Sequence, residues 1–458
     1  MKLKFFEPLK LKFEQGVWAA SPEFAVIDTI LEKRPDLITM FSADVMKGNK
    51  NNQYGRADSP SVEQIVRLGL YKEIKSLDYR ELFVAEVDSR ICADFAKIDP
   101  LSPYSFQTLQ KYISKMSKEK LEELMYEINK IAIAEGIEDV QKISQDSTVT
   151  ETNIHYPTNN SLVWDCIHES QRLLTHLKEA NQNLEFRNYT KSAKKTYYLI
   201  NNTKTNSKKK DSENKTKNKR QKLFKLQLIT FRKSINQVSN ILEKGVINAS
   251  PVSIGIMGEL KSLLPLMEDI YCVTESHEIK GEKVKNDKKI FSIYERHTEI
   301  IVKGSREVKF GRKLNIANGK SNLVLACDIL KGNPADSSLF KEMVDKVIAA
   351  YGIIPRDNVT DGAYASKSNV EYAQNLGIKN IVFNKVVGSL QSIASSKNME
   401  TRLKKWRSAS EAIISNIKRG FDLFRCNWKG DEHFKQKVFW SIIAYNIRVI
   451  TGKILALI

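Results

Sequence analysis

The sequence has little cysteine and arranges none of it in pairs. Cys92, Cys166, Cys272, Cys327 and Cys426 stand far apart with no C-x-x-C, and the six histidines show no zinc-ligand spacing. A disulfide framework and a zinc finger are therefore both excluded as organising principles, and free, buried thiols are the default. No G-x-x-x-x-G-K-[ST] loop occurs, so nothing points to ATP-driven chemistry. An uninterrupted apolar run is missing as well. The longest candidate, "FWSIIAYNIRVITGKILALI", is broken by Asn446, Arg448 and Lys453 and predicts a packed helix in place of a membrane span. The start, "MKLKFFEPLKLKFEQG", lacks the apolar centre of a signal peptide. A cytoplasmic protein with no membrane partner is expected.

Positive charge is abundant. The formal net charge is +19 over 458 residues, and 41% of residues are hydrophobic, enough to bury real cores. That excess favours a polyanion through counterion release and long-range steering. The length implies two or three domains.

From Ser61 to Gly136 the pattern is helical. "SPSVEQIVRLGLYKEI" places Val62, Ile65, Val66 and Leu70 at helical spacing, "KSLD" interrupts, and "YRELFVAEV" resumes with Asp78 as cap. This resembles a helix-turn-helix with Arg67, Lys72, Lys75 and Arg80 nearby, although helix pairs of this size also serve plain packing. Next, "QKISQDSTVTETNIHYP" predicts a strand with Ile143 and Val149 on one side and Ser144, Asp146, Thr148 and Thr150 on the other. Helical pattern returns from Ser161 to about Ser276, interrupted by "NNTKTNSKKKDSENKTKNKRQK", which is too polar to pack and predicts a flexible loop. Such a charge run is either simply solvated or in transient contact with phosphates. Strands follow in "EIIVKGS", "VKFGRKLNIANG" and "SNLVLACDIL", the last two joined through Asn318-Gly319, and then helices alternate with strands. The order predicts an α/β fold, a mixed sheet flanked by helices and interrupted by a mostly helical insertion.

Three carboxylates deserve weight within that order. Asp146 lies on a polar strand face. Asp361 ends a strand before Gly362, a favoured place for a functional carboxylate in α/β sheets, although "DG" is also a common turn. Glu411 lies in "WRSASEAIISNIKR", where a helix puts Arg407 four residues before it and Lys418 seven after it on one face. Taken alone, Arg407 and Glu411 fit an ordinary surface pair. Taken together, three acids brought to one sheet edge need a compensating cation, and hard oxygen ligands select Mg²⁺ or Mn²⁺. Two such ions about 4 Å apart suit phosphodiester displacement on DNA. Asp328, Asp336 and Glu151 are rival acids. His155 and His297 are more simply read as packing residues.

The blocks "QDSTVTETNIHYPTNNSLVWD", "FSIYERHTEIIVKGS", "KGNPADSSLF", "VTDGAYASKSNVEYAQNLGIKNIVF" and "SASEAIISNIKRGFDLFRCNWKG" resemble, in order, those of bacterial insertion-sequence DDE transposases, notably the group termed ISNCY. The likeness runs over most of the chain. It implies an RNase H-like catalytic domain in residues 139–160 and 290–458, a helical N-terminal DNA-binding domain in 1–138, and a helical insertion in 161–289 with a Lys-rich loop at 203–222. It implies Asp146, Asp361 and Glu411 as the catalytic, metal-holding triad, with two Mg²⁺ or Mn²⁺ ions. The family's Tyr-x-x-Arg-x-x-x-Glu-x-x-x-x-x-x-Lys signature matches at Arg407, Glu411 and Lys418, the two bases being expected to hold DNA phosphates. Its tyrosine position holds Lys404, with Trp406 as the nearby aromatic. Arg67 and Arg80 join the expected DNA contacts. The implied function is cleavage at transposon ends and strand transfer into target DNA by a homo-oligomer, a dimer in the synaptic complex. The alternative is a transposase-derived DNA-binding protein without catalysis.

Overall fold

A computed structural model describes residues 16–47, 59–203, 210–245, 250–303, 307–384 and 390–456. The chain divides into two compact units, residues 1–153 with 301–458, and residues 154–300.

The first unit is built around a seven-stranded mixed sheet: β1 (Lys142–Thr152), β2 (Glu299–Lys303), β3 (Glu307–Asn318), β4 (Val324–Ile329), β5 (Asp357–Asp361), β6 (Asn380–Asn384) and β7 (Arg425–Cys426). The strand path is β2-β3-β1-β5-β6, with β4 paired to β3 and β7 to β1. β1 runs antiparallel to β3 and parallel to β5, so the chain's first strand becomes the sheet's centre. β5 and β6, joined through a helix, pair in parallel, whereas the β3–β4 pair turns at Gly319 as a hairpin. This mixed sheet with flanking helices agrees with the RNase H-like arrangement that the motif blocks imply.

Helices of seven residues or more are numbered here. In the first unit α1 (Pro22–Lys33), α2 (Val62–Ile74), α3 (Tyr79–Asp88), α4 (Arg90–Ala96), α5 (Phe106–Ile113) and α6 (Lys118–Ala134) precede the sheet. Ser61 and Asp78 start α2 and α3 with complete capping boxes, and the second, at the end of the short "KSLD" break, begins α3 there. These helices do not bury a core of their own. Leu68, Leu121 and Leu124 belong to the same apolar cluster as Ile316, Val324 and Phe340 of the sheet side. The C-terminal helix joins the two: Gly69 of α2 lets Trp440 pass so closely that an added Cβ would lie 2.8 Å from the indole.

The second unit contains α7 (Asn159–Ala180), α8 (Thr190–Asn201), α9 (Lys210–Lys244) and α10 (Pro251–Thr274). They close on a cluster that includes Leu174, Phe231, Ile235 and Leu260. The expected Lys-rich loop at 203–222 is a correction. Residues 204–209 lie outside the described residues, and from Lys210 onward the segment is helical, the first turns of the 35-residue α9. Lysine and glutamate are good helix formers, and extending a helix already nucleated by the packed stretch from Phe224 costs little.

Returning to the first unit, α11 (Asp336–Tyr351), α12 (Lys367–Asn375), α13 (Lys397–Gly420) and α14 (Asp431–Leu455) complete it. Among the described residues α14 alone is long and apolar enough to cross a membrane by composition, and 72% of its most apolar window is buried within the protein. Its Asn446 accepts from the Val324 backbone and donates to Asn129 and the Val324 carbonyl, a fully satisfied buried amide.

Candidate active site

Strand register brings the first two acids together. β1 and β5 are parallel neighbours whose last paired residues are Gln145 and Thr360. Asp146 and Asp361 each follow by one position, so their side chains stand side by side on one face of the sheet. β5 ends at Asp361, whose Oδ1 accepts from the Gly362 amide at 2.8 Å and caps a 3₁₀ turn. Asp146 Oδ1 likewise accepts from the Ser147 amide at 2.8 Å. Each carboxylate is thus oriented by its own backbone, with Oδ2 turned towards α13.

The same face of the sheet receives α13. Val359 of β5 and Val382 of β6 pack with Leu403 beneath the helix, with Trp406 and Met399 against them. One turn further, Ser410 donates a buried 2.8 Å hydrogen bond to Ser144 of β1, which fixes the helix against the strand. Helical spacing then places Arg407 over the two aspartates and Glu411 one turn beyond it. Arg407 is 4% exposed, and its Nη2 lies 3.3 Å from Asp146 Oδ2 and 3.7 Å from Asp361 Oδ2. Its Nη1 lies 3.2 Å from Glu411 Oε1. One guanidinium therefore touches all three acids, which come from positions 146, 361 and 411.

Solvent reaches this group unequally: the side chains of Asp146, Asp361 and Glu411 are 18%, 40% and 65% exposed. Glu411 and Asp361 are thus the more open of the three, and Asp146 is the most enclosed. Burial also acts on Tyr364, behind the aspartates, where desolvation followed by the charges of Asp336 and Asp146 holds the phenol well above its ordinary range, so it stays a donor; its hydroxyl donates to Asn315 at 2.8 Å.

The donor set suits a hard divalent ion: three carboxylates, no sulfur or imidazole, each aspartate pre-oriented by one backbone hydrogen bond. Among the described residues no three acidic, histidine or cysteine side chains are close enough to ligate one ion as arranged. The guanidinium of Arg407 lies between them and supplies the compensating charge. Its Nε is buried and makes no hydrogen bond, so this cation is not fully satisfied where it lies.

The other expected contacts fare differently. Lys418 is half-buried further along α13, its Nζ 5.9 Å from the centre of the Phe424 ring. Trp406 is also half-buried, packed on the α13 underside with Lys142 Nζ 4.3 Å over its ring, so it is mainly a packing residue. Lys404 pairs with Glu400 at 2.6 Å. Arg80 is exposed on α3 with its guanidinium over Phe106. Arg67 is the correction. It is completely buried, bonded to Asp28 at 2.7 Å, Glu63 at 2.9 Å and the Phe95 carbonyl at 3.0 Å, and it holds helices together where a DNA contact was expected. On the face of α2 it looked solvated only because Asp28 lies 39 residues away.

Rival acids have structural partners. Asp336 pairs with Lys313 at 2.7 Å and Asp328 pairs with Lys346. In the second unit His155 lies 3.4 Å from Asp165, and His297 lies 3.5 Å from Glu295. The sequence reading set Ser144 on the polar face of its strand but missed its bond to Ser410, and it missed Ser410 and Lys142. The signal for Ser410 was the small-residue run "SAS" before Glu411, which permits close helix-to-sheet approach.

No curated protein and no solved structure matches the chain. A family model described as "Transposase DDE domain" matches residues 275–447, a span that carries Asp361, Arg407, Glu411 and Lys418 and leaves Asp146 outside it. With the mixed sheet and the three acids met at one guanidinium, that match identifies a transposase DDE domain within residues 275–447.

Proposed function

We propose that this chain cuts DNA at the ends of its own mobile element and joins the freed 3′-OH to target DNA, with Asp146, Asp361 and Glu411 as the catalytic carboxylates. The convergence of these three side chains on Arg407 carries the reading. Three acids from distant parts of a chain gain nothing structural from meeting at a partly exposed surface. Asp146, Asp361 and Glu411 would hold two Mg²⁺ or Mn²⁺ ions, which would supply activation of the attacking oxygen and stabilisation of the leaving one.

The protein's own part is positional. Parallel pairing of β1 and β5 fixes the two aspartates, and the Ser410–Ser144 bond sets Glu411 over them. Lys418 and Arg407 line the same helix and are suited to phosphate oxygens, Arg as a fork and Lys as a point charge. In the first step water is the nucleophile and in the second the 3′-OH, with no covalent protein intermediate. The N-terminal helices, with Arg80 exposed on α3, supply recognition of terminal inverted repeats, and the +19 charge supplies sequence-independent affinity for duplex DNA. Residues 1–138 act as the DNA-binding region, residues 139–160 and 290–458 as the catalytic domain, and 161–289 as an insertion adding backbone contacts or protein pairing. Two copies hold two ends in one synaptic complex. Membership of the ISNCY group rests on the motif blocks.

Sequencing the DNA on both sides of the gene and incubating those flanks with the protein and Mg²⁺ tests the reading. Terminal inverted repeats, cleavage at their 3′ ends and recovery of joined products from pre-cut ends are expected. Binding without cleavage would support a DNA-binding protein that has lost catalysis, and cleavage without joining would support a nuclease.

A further inference from the structure

The contacts of Arg407 with the triad are longer than those of the other buried arginine pairs of this unit. Arg67 meets Asp28 at 2.7 Å and Arg312 meets Asp431 at 2.9 Å, the range of charge-assisted hydrogen bonds. Arg407 meets its three acids at 3.2, 3.3 and 3.7 Å, and its Nε, like Nη2 of Arg67, is buried and lacks an acceptor. A guanidinium that is 4% exposed is costly to desolvate and is normally repaid by tight pairing. Here it is spread over three carboxylates, so one positive charge faces three negative ones and satisfies none of them well.

We propose that Arg407 is the resident counter-ion of the triad, a positioning residue that a divalent ion displaces, so that ion binding and release of the guanidinium towards a DNA phosphate are one linked event. This rests on the reading of the three acids as the ion-holding group. The helix makes the exchange simple. Arg407 stands one turn before Glu411 on α13, and rotation about its own side-chain bonds moves the guanidinium along the exposed side of the helix without disturbing the buried Ser410–Ser144 lock. While the ion is away, the guanidinium keeps the carboxylates from repelling one another apart. Once an ion takes the central position, like charge drives the guanidinium out, where a phosphate oxygen is its natural acceptor. Linkage requires the reverse too: whatever draws Arg407 away from the acids strengthens ion binding.

Calorimetric titration of Mn²⁺ into the DNA-free, full-length protein tests this without reference to activity. The comparison is wild type, Arg407→Gln and Arg419→Gln, the last removing an equal charge from an exposed position on the same helix. The expected result is Mn²⁺ affinity raised at least roughly tenfold in Arg407→Gln, as loss of a competing charge at contact distance requires, and little changed in Arg419→Gln. Arg407→Lys keeps the charge but not the fork that reaches three acids, and is expected to fall between wild type and Arg407→Gln; it serves also if the glutamine variant fails to fold. Affinity in Arg407→Gln and Arg407→Lys equal to or below wild type overturns the counter-ion role while leaving the ion-holding triad standing. Absence of Mn²⁺ binding in every form, wild type included, overturns both.

Discussion

The carboxylate of Asp146 lies 3.3 Å from the guanidinium of Arg407, a residue 261 positions further along the chain. Everything that makes this contact possible is packing: parallel register between β1 and β5, the apolar seat of α13 on Val359 and Val382, and the Ser410–Ser144 hydrogen bond.

That last bond gives the first prediction. Ser410→Ala leaves the buried Ser144 hydroxyl without its partner and is expected to lower stability by about 1–3 kcal/mol. The double variant Ser144→Ala with Ser410→Ala removes both groups and should recover part of the loss. Denaturant unfolding of these two variants and of Ser144→Ala alone checks this, and a double variant less stable than the sum of the two single effects would contradict it.

Arg67 and Arg80 separate a core charge from a surface one. Arg67→Met strands Asp28 in the core and is expected to destabilise by about 3–5 kcal/mol, with DNA affinity per folded molecule unchanged. Arg80→Ala should leave the melting temperature nearly unchanged, weaken duplex binding, and reduce the salt slope of log Kd by about 1. Fluorescence anisotropy at several salt concentrations reads the second effect, thermal melting the first.

Legibility in the sequence followed the range of the interactions. The strand containing Asp146, the strand ending at Asp361 and the helix carrying Glu411 were all readable, because periodicity and caps such as Asp78 act within a few residues. Burial of Arg67 was not readable, since its partner Asp28 lies in another helix. Nor was the helical state of residues 210–222, whose composition denies packing to the segment itself while the adjoining stretch from Phe224 supplies it. The placement of Arg407 among all three acids needed the β1–β5 register, and no local pattern encodes that. Spacing along one helix related Arg407 to Glu411 alone.

Glu86 on α3 makes stability depend on pH. Burial raises its carboxyl from 4.5 to about 7, against which the 2.8 Å hydrogen bond from the Tyr104 amide is a lesser effect. A folded pKa above the unfolded one means that the folded protein holds the proton more tightly. Stability from this group is therefore full below about pH 4.5 and is lost as pH rises through 7. Glu86→Gln is expected to raise the melting temperature at pH 8 and to change it little at pH 5. An equal shift at both pH values would count against the assignment.

Gly311 lies opposite Glu151 where β3 pairs with β1, and a Cβ there would collide with the Thr150 carbonyl oxygen. Backbone cannot yield as a flexible side chain does. Gly311→Ala is expected to cost at least the 1–3 kcal/mol typical of overpacking, and hydrogen exchange should quicken first at Thr150 to Thr152, next to the β7 pairing. Unchanged exchange in that stretch would show that the ladder tolerates the methyl group.

The most direct test of the account is Mg²⁺-dependent nicking of a supercoiled plasmid carrying the gene's own flanks, measured for wild type and for Asp146→Asn, Asp361→Asn and Glu411→Gln. The account predicts nicking by the wild type and, in each variant, a loss of at least roughly 100-fold, as removal of several kcal/mol of transition-state stabilisation requires, with binding to the same DNA retained. Nicking that persists at the wild-type rate in any of the three variants would remove that acid from the catalytic group and contradict the convergence on Arg407 as the mark of the active site.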